Sequence, residues 1–96
     1  MQFVIISRRL VERFSEAEFA ARIEAELEQA RTLYAEGFIR QIWQRGDVRG
    51  ACILVEADSE ERARARLDTL PLYQAKMVEF SVIPLKPYPG FGPRQA

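Results

Sequence analysis

Four short runs rich in β-branched, aromatic and other apolar residues divide the chain and predict β-strands. They cover residues 2–7, 38–45, 49–57 and 75–85. The second and third runs are separated only by Gly46-Asp47-Val48, a length and composition typical of a hairpin turn. We therefore expect these two strands to pair with each other.

Two longer segments carry signals for the start of a helix. Ser15-Glu16-Ala17-Glu18 is a capping box, and about twenty residues without Gly or Pro follow it, as far as Gly37. The segment from Asp58 to Glu61 repeats the pattern as Asp-x-x-Glu and predicts a second helix. That helix should end near Leu70, because Pro71 follows directly.

The predicted order of elements is β-α-β-β-α-β, which is the ferredoxin-like arrangement. In this α+β fold a four-stranded antiparallel sheet carries two helices on one face. A chain of 96 residues is expected to form a single domain with one core. We place that domain at residues 1–85, followed by a Pro- and Gly-rich tail at residues 86–96.

Both faces of the predicted sheet are apolar. On the first strand, Phe3 and Ile5 point to one side while Val4 and Ile6 point to the other. The helices cover only one face of the sheet. The apolar residues on the uncovered face predict self-association, most simply two sheets packed face to face about a twofold axis. Alternatively, the tail folds back over the open face.

Composition narrows the possible chemistry. The chain has no histidine and one cysteine, which removes the usual ligands of structural zinc, the Ser-His and Cys-His nucleophile pairs and any intramolecular disulfide. Catalysis would therefore use carboxylates, Arg, Lys, Tyr or backbone groups. Cys52, in the third strand, is expected to be a small buried hydrophobe with an inert thiol.

Charge and hydropathy limit the partners. The 14 basic side chains balance the 14 acidic ones, and neither half of the chain has a large net charge. We therefore expect no nucleic-acid binding. No long uninterrupted apolar run is present, so we expect neither a leader peptide nor a membrane span. One cysteine suits a reducing compartment, and we expect a cytoplasmic protein.

One carboxylate lies where the first helix should be apolar. At about 100° per residue, Glu26 falls inside the arc that predicts the core face. A carboxylate there is either paired, with Arg22 or Arg40 as the candidate cations, or has a raised pKa suited to proton transfer. Tyr34 is expected to be a core residue. The arc consists of Phe19, Ile23, Leu27, Ala30, Leu33 and Tyr34.

Several segments between about Ala21 and Pro89 together resemble muconolactone delta-isomerase. The most specific piece is Leu70-Pro71-Leu72-Tyr73, followed at a fixed distance by a strand that ends in Pro84-Leu85. A second piece is Gly-x-x-Arg-x-x-Trp, at residues 37–43. The resemblance implies a dimeric α+β barrel that assembles into larger homo-oligomers.

The resemblance also implies a reaction and a site. The family moves a proton between two carbons of an unsaturated lactone during aromatic catabolism, without a cofactor or metal. The alignment places the family's helix carboxylate at Glu26, as the catalytic base. Arg40 and Trp43 would bind the substrate carboxylate and cover its ring, and Gln41 takes the place of a family histidine.

These features are consistent with three functions. The leading hypothesis is a cofactor-independent isomerase acting on a small unsaturated lactone or related anionic carbonyl compound. The first alternative is a non-catalytic or ligand-binding oligomeric barrel, motivated by Gln41 in place of the histidine. The second is a cofactor-free monooxygenase on the same barrel architecture.

Overall fold

The computed structural model of the chain describes residues 1–91 and contains seven helices and strands. The tail predicted for residues 86–96 is described as far as Phe91, and its residues 92–96 lie outside the described part. The elements are β1 (Gln2–Arg9), α1 (Glu16–Ala35), β2 (Ile39–Gln44), β3 (Ala51–Glu56), α2 (Glu60–Leu67), α3 (Pro71–Gln74) and β4 (Val78–Pro84).

The four strands form one antiparallel sheet in the order β2-β3-β1-β4. This confirms the predicted ferredoxin-like topology, with β1 in the interior of the sheet between β3 and β4. The inward rows of the sheet pack against the helices and supply much of the core. Its fully buried side chains include Phe3, Ile5, Phe19, Leu33, Ile39, Ile53, Val55, Leu67 and Leu70.

The predicted limits of the first helix are confirmed. The Glu18 N–H donates to the Ser15 hydroxyl at 3.2 Å, and the Ser15 N–H donates to the Glu18 carboxylate at 2.9 Å, which completes the capping box. The helix ends at Ala35, and Gly37 follows with φ of 86°, a left-handed conformation that favours glycine.

The prediction for the second helix was wrong in two details. The N-cap is Ser59 rather than Asp58, because the Ser59 hydroxyl accepts from the Arg62 N–H at 3.2 Å. α2 also ends at Leu67, before the predicted end near Leu70, and a separate short helix that was not predicted, α3, begins at Pro71. The residue before a proline avoids the helical region, and Leu70 accordingly has extended backbone angles.

β4 begins at Val78, later than predicted. The turn that precedes it places Lys76 at φ of 58°, which interrupts the extended backbone after Ala75. At the same end of the sheet, β1 continues two residues beyond the predicted limit, to Arg9. These two ends pair with each other, since Arg9 lies opposite Val78.

The second face of the sheet is open. Register places Val4, Ile6 and Cys52 on it, and Cys52 is partly buried instead of buried as predicted. The tail does not cover this face as far as Phe91, because every residue from 85 to 91 is exposed. The predicted pair of apolar faces is therefore present. Within the described residues, no helix is both long and apolar enough to cross a lipid bilayer.

Candidate active site

A cleft of about 580 Å³ opens on the helix side of the sheet. It is lined by parts of α1, α3, the ends of β1 and β4, and the β2–β3 hairpin. Its lining is mostly apolar, with a few polar side chains, as is typical of small-molecule sites. The polar side chains include Ser7, Arg9, Glu26, Gln44, Arg45, Arg49 and Tyr73.

Glu26 lies on the inner side of α1 because of the helical repeat. It is seven residues from both Phe19 and Leu33, which are buried, and seven residues bring a helix back to nearly the same face. The Glu26 carboxylate reaches α3, where Oε1 accepts a hydrogen bond from the Leu72 N–H at 2.9 Å. Leu70, the N-cap of α3, has no side chain that can form this bond, so Glu26 supplies it.

The surroundings of Glu26 make its carboxyl a weaker acid than an exposed glutamate. Partial burial raises the pKa of the carboxyl above its ordinary value, and the Leu72 hydrogen bond and the positive charge of Arg9 offset that effect in part. Within residues 1–91, no cation lies within ion-pair distance of this carboxylate. Neither Arg22 nor Arg40 neutralises it, so that alternative is wrong.

Three arginines line the cleft, and two of them have carboxylate partners. Arg45 binds Asp47 at 2.7 Å, and Arg49 binds Glu16. Arg9 has no acidic side chain within 4.0 Å in the described part of the chain. Its guanidinium lies 5.4 Å from the centre of the Phe19 ring, a cation–π distance. Arg9 can therefore bind an anion in the cleft.

Sequence reasoning missed Arg9, although the signal was present. The predicted first strand stopped at Ser7, whereas the alternation of Phe3, Ile5 and Ser7 continues to Arg9 on the same side. A period of two thus aims Arg9 at the helix side of the sheet. The regularity is hard to see in the sequence, because β1 ends in two adjacent charged residues, Arg8 and Arg9.

The structure brings together only part of the predicted site. Glu26 and Trp43 both line the cleft, whereas Arg40 and Gln41 are exposed and are absent from its lining. A bulge at Arg40 shifts the register of β2. Beyond the bulge, Gln41 and Trp43 lie opposite Leu54 and Cys52, so both side chains belong to the open-face row. Trp43 contributes to the cleft lining from β2, which is the edge strand of the sheet.

The predicted core face of α1 is wider than the observed one. Tyr34 is 63% exposed, so its assignment to the core was wrong. It lies about 100° around the helix from the buried Leu33, beyond the part of the arc that the sheet covers. Leu27 is also half exposed, but it contributes to the wall of the cleft.

Tyr73 also lines the cleft, and its hydroxyl is buried. Burial raises the pKa of this hydroxyl to about 12, with the adjacent Ser7 lowering it and the charge of Glu26 raising it further. Within the described residues, no three His, Cys, Asp or Glu side chains converge as a metal site. A partly buried carboxylate in the same cleft as an available cation suits proton transfer at a carbon atom of a small anion.

The family model described as muconolactone delta-isomerase matches residues 1–90. A crystal structure of muconolactone isomerase is similar with a TM-score of 0.80 at 22% sequence identity, and the match covers 99% of this chain and 98% of that one. No curated protein sequence matches the chain.

A second similar structure is 5-chloro-2-hydroxyhydroquinone dehydrochlorinase from Burkholderia phenoliruptrix AC1100, in complex with 2,5-dihydroxybenzoquinone. Its TM-score is 0.70 at 17% identity, and the match covers 90% of this chain and 94% of that one. At these identities the two similar structures establish the fold of this chain but not its function.

Proposed function

The chain belongs to the muconolactone delta-isomerase family, and we propose that it is a cofactor-independent isomerase of aromatic catabolism. Its substrate would be a small unsaturated lactone or a related anionic carbonyl compound. The observation that carries this proposal is the position of Glu26, a partly buried carboxylate with a raised pKa in a largely apolar cleft.

The proposed reaction needs one group that both removes and returns a proton. The Glu26 carboxylate takes a proton from a carbon atom next to the unsaturated system, and the electron pair left behind is delocalised onto the carbonyl oxygen. The protonated Glu26 then delivers the same proton to a different carbon, and the double bond moves. A raised pKa helps the first step, because it makes the Glu26 carboxylate a stronger base than an exposed glutamate.

The substrate carboxylate needs a cation, and two arginines compete for that role. Arg9 lies in the cleft without a carboxylate partner among residues 1–91, which supports it. Arg40 remains a proposal from the family alignment, together with Gln41 and Trp43 as parts of the pocket wall. Replacing each arginine by Gln in turn distinguishes the two roles, because loss of the arginine that binds the anion should raise KM.

We also propose that the protein works as a homodimer or larger homo-oligomer. The open face of the sheet presents Ile6, Trp43 and Ile83, all more than a third exposed. A second copy could cover this apolar surface about a twofold axis and form an α+β barrel. Because Gln41 and Trp43 lie in the open-face row, the interface would adjoin them.

Turnover tests the proposal. Purified protein is incubated with muconolactone, and movement of the double bond is followed by ultraviolet absorbance and proton NMR. The isomerised lactone is the expected product, formed without added metal or cofactor. A panel of related lactones and 5-chloro-2-hydroxyhydroquinone extends the search, and oxygen uptake with quinols tests the monooxygenase alternative. Absence of turnover on this panel would contradict the proposal.

A second candidate is a ligand-binding protein of the same fold that has no activity. The observation that favours it is the hydrogen bond from the Leu72 N–H to Glu26, which gives the carboxylate a structural role in α3. Saturable binding of a lactone without turnover would support this candidate over the isomerase.

A further inference from the structure

The hydroxyl of Tyr73 is a buried polar group without a partner. Tyr73 is 7% exposed and its ring packs against Phe80 with 5.1 Å between ring centres. Its hydroxyl forms no hydrogen bond of normal geometry within the described residues, although Ser7 lies close enough to lower the pKa of that hydroxyl. Nearly all buried polar groups in native proteins are hydrogen-bonded. Since phenylalanine would fill the same space without this cost, the hydroxyl needs a reason other than packing.

Two polar groups that influence the pKa of this hydroxyl, Ser7 and Glu26, each accept a hydrogen bond from another residue. The Ser7 hydroxyl accepts from the Ala51 N–H at 3.1 Å, and Glu26 Oε1 accepts from the Leu72 N–H. All of these residues line the cleft. With its pKa raised to about 12, the Tyr73 hydroxyl keeps its proton at neutral pH and is available as a donor.

We propose that the Tyr73 hydroxyl donates a hydrogen bond to an oxygen atom of the ligand that binds beside Glu26. This inference rests on the proposed function and extends it. When Glu26 removes a proton from carbon, negative charge develops on the substrate's carbonyl oxygen. A donor held in a buried position stabilises that charge more than it stabilises the neutral carbonyl, so it lowers the barrier. Small side-chain rotations on binding bring the oxygen against the hydroxyl.

The test compares Tyr73→Phe with Tyr34→Phe in the full chain, with muconolactone as substrate. Both variants lose one phenolic oxygen, but Tyr34 is exposed and is absent from the cleft lining. We expect Tyr73→Phe to lower kcat by about 100-fold with a smaller change in KM. Its thermal stability without ligand should equal or exceed that of the wild type, because an unpaired buried hydroxyl has been removed. Tyr34→Phe should change neither quantity, and an unchanged kcat in Tyr73→Phe would overturn the inference.

A binding measurement separates this inference from the proposed function. If the wild type converts no substrate, the proposed function fails. Calorimetric titration with 2,5-dihydroxybenzoquinone then tests the role of Tyr73 through the affinity of each variant for this probe. This probe is small, anionic near neutral pH and rich in carbonyl oxygens. About 10-fold weaker binding by Tyr73→Phe than by the wild type and Tyr34→Phe supports the donor role. Equal affinities, or no binding by the wild type, would overturn it.

Discussion

Glu26 Oε1 accepts a hydrogen bond from the Leu72 N–H at 2.9 Å, and this bond joins α1 to the start of α3. Replacing Glu26 by Ala leaves the buried Leu72 with an unpartnered N–H. We expect Glu26→Ala to lower the free energy of unfolding by about 1–3 kcal/mol. Urea unfolding of Glu26→Ala and Glu26→Gln measures the difference.

Glu26→Gln is the matched control for this change. The glutamine side chain has the same shape, and its amide oxygen can accept the same hydrogen bond. Its stability at neutral pH should be equal to or above that of the wild type, since no charge is buried. Equal losses in the Ala and Gln variants would show that the Leu72 bond contributes nothing.

The pKa of Glu26 makes both activity and stability depend on pH. Burial raises this pKa above the unfolded value, so the native state binds the proton more tightly. The stability that Glu26 contributes is complete below its unfolded pKa and is lost as pH rises through its folded pKa. The wild type should therefore lose stability relative to Glu26→Gln across that window.

Activity should have the opposite dependence on pH. Only the ionised carboxylate can remove a proton, so kcat/KM should rise as pH increases through the folded pKa of Glu26. The midpoint should lie above the ordinary glutamate value of about 4.5. A profile that stays flat from pH 4 to 8, over roughly the range where a raised carboxyl titrates, would argue against Glu26 as the base.

Most of the fold could be predicted from local sequence signals, and the differences have physical causes. The capping box at Ser15 and the glycine at position 37 mark the two ends of α1 as expected. Both signals act locally, because the Ser15 side chain pairs with a free backbone N–H and Gly37 adopts the left-handed conformation that follows the helix. The separate α3 was missed, because Pro71 can either end one helix or occupy the first position of another. Only tertiary packing decides between these outcomes.

The site was predictable only where periodicity was simple. The helical repeat indicates that Glu26 lies on an inner face, and the structure places it in the cleft. Its Leu72 partner could not be predicted, because that contact joins residues far apart in sequence. The bulge at Arg40 likewise leaves no clear signal in the sequence, although it determines which side chains of β2 share a face.

Gly50 lies where the hairpin passes close to β1. A Cβ atom at this position would overlap the Ser7 carbonyl oxygen and lie 2.9 Å from its carbon. We expect Gly50→Ala to lower the free energy of unfolding by about 1–3 kcal/mol, since backbone atoms must move. Gly46→Ala is the control, because nothing lies within 4 Å of a Cβ there. Similar stability in both variants would contradict the close approach.

The open sheet face should hold the proposed oligomer together. Ile6 lies near its centre, between Cys52 and Ser81, so Ile6→Glu would place a charge in the interface. We expect the wild type to be at least a dimer by native mass and Ile6→Glu to be mostly monomeric. Val11→Glu is the control, since Val11 is exposed but lies outside the sheet. A monomeric wild type would contradict the proposed assembly.

The role of Glu26 as the base is tested most directly by turnover of muconolactone in the wild type, Glu26→Gln and Glu24→Gln. Both variants lose one carboxylate from α1, but Glu24 is exposed and is absent from the cleft lining. We expect Glu26→Gln to lower kcat by a factor of about 10²–10⁴, the usual contribution of general acid–base catalysis, and Glu24→Gln to match the wild type. Turnover by Glu26→Gln at the wild-type rate would contradict the assignment of Glu26 as the proton-carrying base.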